Sequence, residues 1–292
     1  MNLSKVPSRL FSEYSTMVKS IKTAKDEFIT VTGTLNYFIN IADKKDSVRC
    51  KQILNSFYVP QNQAVTKINM YEIRNFLVKQ IKTPEEIEKM KKICVEFSFL
   101  NSQYKDSADI QSFEYFVDRH DETEKYGNNI GKIPGYNSKT YWNMLIDDYQ
   151  KIFEINRKVL IRLVEIDKLI TNKPINEKKI GKESAYKLIK SLKNSTIKEF
   201  NKSSSNWDLM TFPLDKQIRN ATSHIDFYYD DKIHLYLGKN TNGDSFVTLP
   251  ETVKNVYLPI AINNVKGFLA AVLLHNLKSD EGLYKRALKM LD

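Results

Sequence analysis

Apolar residues recur every three or four positions along most of this chain, the spacing that gathers them on one side of an α-helix. The clearest run lies at residues 141–171. There Trp142, Leu145, Ile146, Tyr149, Ile152 and Phe153, continued by Leu160, Leu163, Val164 and Ile170, form a wide apolar stripe, with Lys and Glu on the remaining positions. This predicts a core-facing helix of about eight turns. Shorter helical patterns follow at 182–192 and 207–224, the second with a break expected at Pro213. The period then changes. Residues 225–229 and 232–237 read as a hairpin around a turn at Asp230 and Asp231, and 245–249 as a third short strand. Pro250 and Glu251 open a strongly apolar helix to about residue 278, and a short helix follows from about 280.

Upstream, residues 1–125 show helical spacing with short connections. Thr83, Pro84 and Glu86 mark one helix start: threonine caps free backbone N–H groups, proline suits the first turn, and the glutamate completes a capping box. Residues 126–140 hold three of the nine glycines and one proline, the composition of a loop or linker. The predicted organisation is therefore mainly α. A helical N-terminal domain of unassigned role (1–125) and a linker (126–140) precede a helical bundle with a short β-hairpin insertion (141–292).

Composition agrees with that class. Hydrophobic residues make up 41% and aromatics 11% of 292 residues, enough for packed cores. Nine glycines and eight prolines are too few for an all-β fold with many tight turns. The longest strongly apolar stretch, around 267–277, is too short to span a bilayer, so no membrane partner is expected. Cys50 and Cys94 stand alone and far apart, which indicates neither a disulfide framework nor a thiolate zinc site. The N-terminal residues lack the charged-then-apolar pattern of a secretory signal. A reducing, cytoplasmic compartment is the natural expectation. The formal net charge is +10, from 45 Lys and Arg against 35 Asp and Glu. A basic excess concentrates polyanions such as RNA near the surface. A Lys-, Asn- and Ile-rich composition also follows from an AT-rich genome, so charge alone names no partner.

The chemistry concentrates at one place. Arg219, Asn220 and His224 end the pattern at 207–224, immediately before the switch to strands. RNA is cut without a metal when its own 2′-hydroxyl attacks the adjacent phosphorus. That reaction needs a proton carrier near neutral pH, which a histidine supplies with an ordinary pKa of about 6.5. It also needs donors on the phosphate, which the planar arginine fork supplies. An amide beside the arginine orients the phosphate or the imidazole. No metal or other cofactor is required by this set. Around it, Asp215 stands four residues before Arg219 and is placed to pair with it, Lys216 shares the Asn220 and His224 side, and Thr222 and Ser223 offer hydroxyls. These four are weaker candidates for holding substrate, as are Tyr228, Tyr229 and Tyr236 for stacking on bases. Surface pairing, helix termination and core packing are the more ordinary roles for such residues. The remaining histidines, His120, His234 and His275, show no metal-ligand spacing with one another or with cysteine. His234 is expected on a hairpin strand and His275 packed on the last long helix, while Asp147 and Asp148 read as surface residues.

With Asn220 following the arginine, a helix end as its setting and a hairpin next, the motif resembles the Arg-x4-His signature of the HEPN superfamily. These helical proteins include many ribonucleases of prokaryotic defence and toxin–antitoxin systems. The resemblance covers about 141–292 and implies a metal-independent RNA endonuclease. Arg219, Asn220 and His224 would be catalytic, leaving a 2′,3′-cyclic phosphate and a 5′-hydroxyl. It further implies two motifs in one composite cleft. Arg219 and His224 lie about 140° apart on an ideal helix, and residues 1–140 hold no second copy, so a homodimer is the simplest arrangement. A regulatory protein partner fits the same family. Family members silenced by a nucleotidyltransferase carry a tyrosine two residues after the histidine. Asp226 stands there in this chain, so that route is not expected. The alternative is a HEPN-like module that binds RNA or protein without cutting.

Overall fold

A computed structural model describes residues 24–55, 109–195, 210–211, 213–223, 227–239, 242–278 and 281–288. Over these residues the protein is mainly helical, with one small antiparallel sheet. The first helices are α1 (Ala24–Lys45), α2 (Ser47–Asn55), α3 (Asp109–Asn128), α4 (Ser138–Ile170), α5 (Glu177–Gly181) and α6 (Ala185–Lys193). Next come α7 (Lys216–Ser223), which carries Arg219 and Asn220, and the strands β1 (Phe227–Asp230), β2 (Leu235–Lys239) and β3 (Ser245–Thr248). Finally α8 (Pro250–Thr252) passes through a π-helical turn at Val253–Tyr257 into α9 (Leu258–Leu277), and α10 (Glu281–Leu288) follows. The helix start expected at 83–86 lies outside the described residues. No helix among the described residues is long and apolar enough to cross a membrane.

The long periodic segment is α4, and it is the spine on which α1, α2, α3, α6, α7 and α9 pack. Asn137 starts it: the backbone there is extended, and its side-chain oxygen accepts from the Thr140 N–H at 2.9 Å. Thr171 ends it, and Asn172 beyond takes a left-handed φ of 55°. Asn156 is one of several polar residues buried along this helix. The Asn156 amide donates to the carbonyls of Ile152 and Ala261, both at 2.9 Å, and so ties α4 to α9.

The glycine-rich segment joins α3 to α4 by a tight turn in which Tyr126 and Tyr136 stack 4.2 Å apart. Apolar residues from before and after it share one core, among them Val31, Leu35, Phe113, Leu145 and Phe268. Helices α1 and α9 pack closely against each other. A Cβ on Gly267 would lie 2.6 Å from a Val31 methyl, so the absence of a side chain lets these helices meet.

The apolar helix expected from 250 to about 278 is present as a continuous run with one irregularity. Pro259 has no N–H to donate, and its ring crowds the carbonyl of residue 255; the wider π turn just before it absorbs both effects, with the Leu258 N–H reaching back to the Val253 carbonyl. The hairpin turn lies later than expected. It occupies residues 231–234, with Asp230 paired to Leu235 across the strands. The Asp230 carboxylate accepts from the Lys232 N–H at 2.9 Å, and His234 closes the turn at φ 55°, so this histidine is in the turn rather than on a strand.

Candidate functional site

The motif helix is positioned by a buried phenol. Tyr149 of α4 donates its hydroxyl hydrogen to the Pro213 carbonyl at 2.7 Å, and the same oxygen accepts the Asp215 N–H at 3.0 Å. Burial holds this phenol well above its ordinary pKa, so it stays protonated and able to donate. Asp215 then starts α7, its carboxylate accepting from the Ile218 N–H at 3.2 Å. Ile218 and Ala221 turn inward onto the core, which leaves Arg219 and Asn220 half-buried at the surface.

Arg219 meets α4. Its Nε and Nη2 donate to one carboxylate oxygen of Glu154, at 3.0 and 2.9 Å, and Nη1 lies 3.5 Å from the Asn220 side-chain oxygen. The guanidinium plane is thereby set against α4 with the amide beside it. Both residues line a half-open cleft of about 120 Å³ between α4, α6 and the start of α7. Phe153, Ile189 and Leu214 supply apolar surface there, and Glu154 and Arg157 supply charge. Asp215 is a helix cap, a role its sequence position did not single out. Lys216 and Ser223 are the first and last residues of α7. His224 is the next residue in the sequence and lies outside the described residues.

The structure adds residues that sequence reasoning passed over. Glu154 is one. Arg157 is another: its guanidinium donates to the carbonyls of Glu183 at 3.0 Å and Gly181 at 2.6 Å, fixing the α5–α6 connection as one wall of the cleft. Tyr186 stands at its lip, 59% exposed. Along α5 and α6, Lys178, Lys179, Lys182, Lys187, Lys190 and Lys193 are all exposed, giving the cleft a basic flank. The density of lysines in 173–193 was the available signal.

Other candidates separate. Tyr229 and Tyr236 belong to the core: the Tyr236 hydroxyl donates to the Trp142 carbonyl at 2.6 Å, and the Tyr229 ring lies 5.9 Å from Trp142. Tyr228 faces solvent. Asp147 is exposed as expected, but Asp148 is fully buried, which corrects the surface reading. Successive helix positions diverge by about 100°, and Asp148 falls on the side facing α3. There it lies 3.0 Å from His120 Nδ1 and 3.4 Å from Arg119 Nε.

Asp43, Cys50 and His275 bring one potential metal-donor atom each within 4.8 Å of the others, a grouping invisible to sequence spacing because it joins α1, α2 and α9. Most of these atoms are already engaged. His275 Nε2 and Lys278 Nζ each lie 2.8 Å from Asp43, and the Cys50 thiol donates to the Ile39 carbonyl. Burial pushes that thiol up to about 12. His275 Nδ1 is buried without a hydrogen-bond partner. The group reads as the tie between α1 and α9, and it predicts a pH dependence. Burial raises the Asp43 carboxyl, but the hydrogen bonds and charges of Lys278 and His275 outweigh it and hold it at about 2. Burial lowers His275, and Asp43 offsets this only in part. Both folded pKa values lie below their unfolded ones, so both contributions are present at neutral pH and are lost on acidification. Stability is expected to fall below about pH 6.5 through His275 and again below about pH 4 through Asp43. Thermal melts across pH 3–8 check this: His275→Gln should remove the upper step and, because the His275 charge helps hold Asp43 low, also shrink the lower one.

No family model matches the chain, and no curated protein or solved structure shows significant similarity to it.

Proposed function

We propose that this protein is a metal-independent RNA endonuclease of the HEPN type, acting in antiviral defence or as a toxin, in a composite site formed by two copies. The supporting observation is that Arg219 and Asn220 lie side by side on a short, firmly positioned helix at the edge of a cleft with a basic flank. Arg219 binds the scissile phosphate through its N–H fork as negative charge develops, and Asn220 orients the phosphate or the imidazole. His224 moves a proton. The 2′-oxygen forms its bond to phosphorus, the bond to the 5′-oxygen breaks, and a cyclic phosphate and a 5′-hydroxyl result. For this, Arg219 exchanges some of its contact with Glu154 for phosphate.

That same contact favours a second reading. A guanidinium held by a carboxylate at 2.9 Å also describes a structural ion pair, as in a HEPN-like module that binds RNA or protein without cutting.

The test is cleavage of labelled single-stranded RNA and tRNA in excess EDTA, with folded His224→Ala protein as the blank. Wild-type cutting to cyclic-phosphate ends, absent in the variant, is the expected result. Equal cutting by both proteins, or no cutting by either, overturns the proposal. The oligomeric state of the active species tests the two-copy site, and a catalytically competent monomer would defeat it.

A further inference from the structure

We infer that the cleft beside Arg219 seats one unstacked base of single-stranded RNA, with Tyr186 against the base and the lysines of α6 along the neighbouring phosphates. This rests on the proposed nuclease for its meaning, but the binding it describes stands by itself.

Size limits the occupant first. Pockets for whole cofactors or drug-sized ligands run to roughly 300 Å³ and more, so a cleft of about 120 Å³ is too small for a complete nucleotide. A closed cavity of roughly 150 Å³ holds a benzene ring. At about 120 Å³ and open on one side, the cleft takes part of one flat heterocycle, with the rest of the ring and its sugar outside. The lining suits such a ring. Phe153, Ile189 and Leu214 give it apolar surface, and Asn220, Glu154 and Arg157 are the polar residues of the lining. Arg157 is anchored by two backbone carbonyls, so that wall is formed in advance.

The surroundings identify the polymer. Tyr186 is 59% exposed at the lip, and base–aromatic stacking is the usual way single strands are gripped. Lys190 and Lys193 follow Tyr186 at four and seven positions along the same side of α6, a row about 10 Å long, and both are exposed. An apolar seat next to a row of cations matches a base beside its phosphates. In a duplex the base faces are stacked on each other, so only a single strand or a loop can supply one. Arg219 at the edge of the seat puts the reactive phosphate next to the base being read.

The experiment measures binding of short fluorescein-labelled 2′-O-methyl RNA strands of each base to the full chain. Methylation removes the attacking hydroxyl, so binding is read without cleavage. Tyr186→Ala is expected to weaken binding by about tenfold, to flatten the preference among bases and to leave the salt dependence unchanged. Lys190→Glu should weaken all strands alike and reduce the salt slope. An unchanged affinity in Tyr186→Ala, or equal competition by a duplex, overturns the inference. If unmodified RNA is still cut in that case, the nuclease stands and the base seat falls. Binding as described with no cutting leaves the seat and removes the nuclease. Tight binding of acidic peptides, with RNA ignored, would make the cleft a protein-docking site and also end the inference.

Discussion

Arg219→Ala is expected to slow RNA cleavage by about 100- to 1000-fold, the usual loss when one donor to a developing oxyanion is removed, while the protein stays folded. The fold is insulated because the side chain is 39% exposed and its partner Glu154 equally so. An ion pair in that setting contributes about 1 kcal/mol or less. A large loss of rate with an almost unchanged melt is thus the signature of a catalytic arginine here. Arg219→Lys should stay near the alanine value. An ammonium keeps the charge, but it cannot offer two parallel N–H groups to a phosphate or reproduce the Nε and Nη2 contacts that set the guanidinium plane. Single-turnover rates with protein in excess, alongside thermal melts, separate the outcomes. If Arg219→Ala cuts as the wild type does, the residue serves structural contacts such as that with Glu154, and the non-cutting reading replaces the nuclease.

What the sequence revealed depends on the range of the interaction involved. The helix at Ser138–Ile170 was legible because its 33 residues repeat one apolar period and Asn137 is a strong cap. The change of period after residue 224 gave the strands, but Asp230 and Asp231 are both turn formers, and nothing marked His234 as the residue that closes the turn. Pro259 was a visible warning of the π turn. Asp148 was visible too: it stands three positions after Leu145, on the buried side of the stripe, and a carboxylate in an apolar row signals a buried partner. The partner itself, His120, was not readable. Nor were the contacts of Arg219 with Glu154 or of Tyr149 with Pro213, which span 65 and 64 positions. An amphipathic pattern says which side of a helix turns inward, but not which neighbour it meets. The tyrosines of the hairpin follow the ordinary expectation for aromatics there: Tyr229 and Tyr236 pack in the core, and Tyr228 faces solvent.

Tyr149→Phe is expected to lower stability by about 2 kcal/mol and to reduce cleavage more than that loss alone explains. The substitution keeps the ring among its neighbours and removes only the hydroxyl. That oxygen serves two backbone groups, donating to the Pro213 carbonyl and accepting from the Asp215 N–H. Leaving a buried polar group without a partner costs about 1–3 kcal/mol, and this phenol is fully enclosed, so water does not readily replace it. The consequence for function is positional. Asp215 caps α7 through the Ile218 N–H, and Arg219 stands one turn further on. Freeing the cap loosens the start of an eight-residue helix, which has little stability of its own. The guanidinium and amide then spend less time in their working places, so cleavage falls at temperatures where the core is still folded. Hydrogen exchange should rise in α7 and leave α4 protected. A variant that loses stability but keeps its full rate well below its melting point would show that the phenol supports the fold without positioning the motif helix.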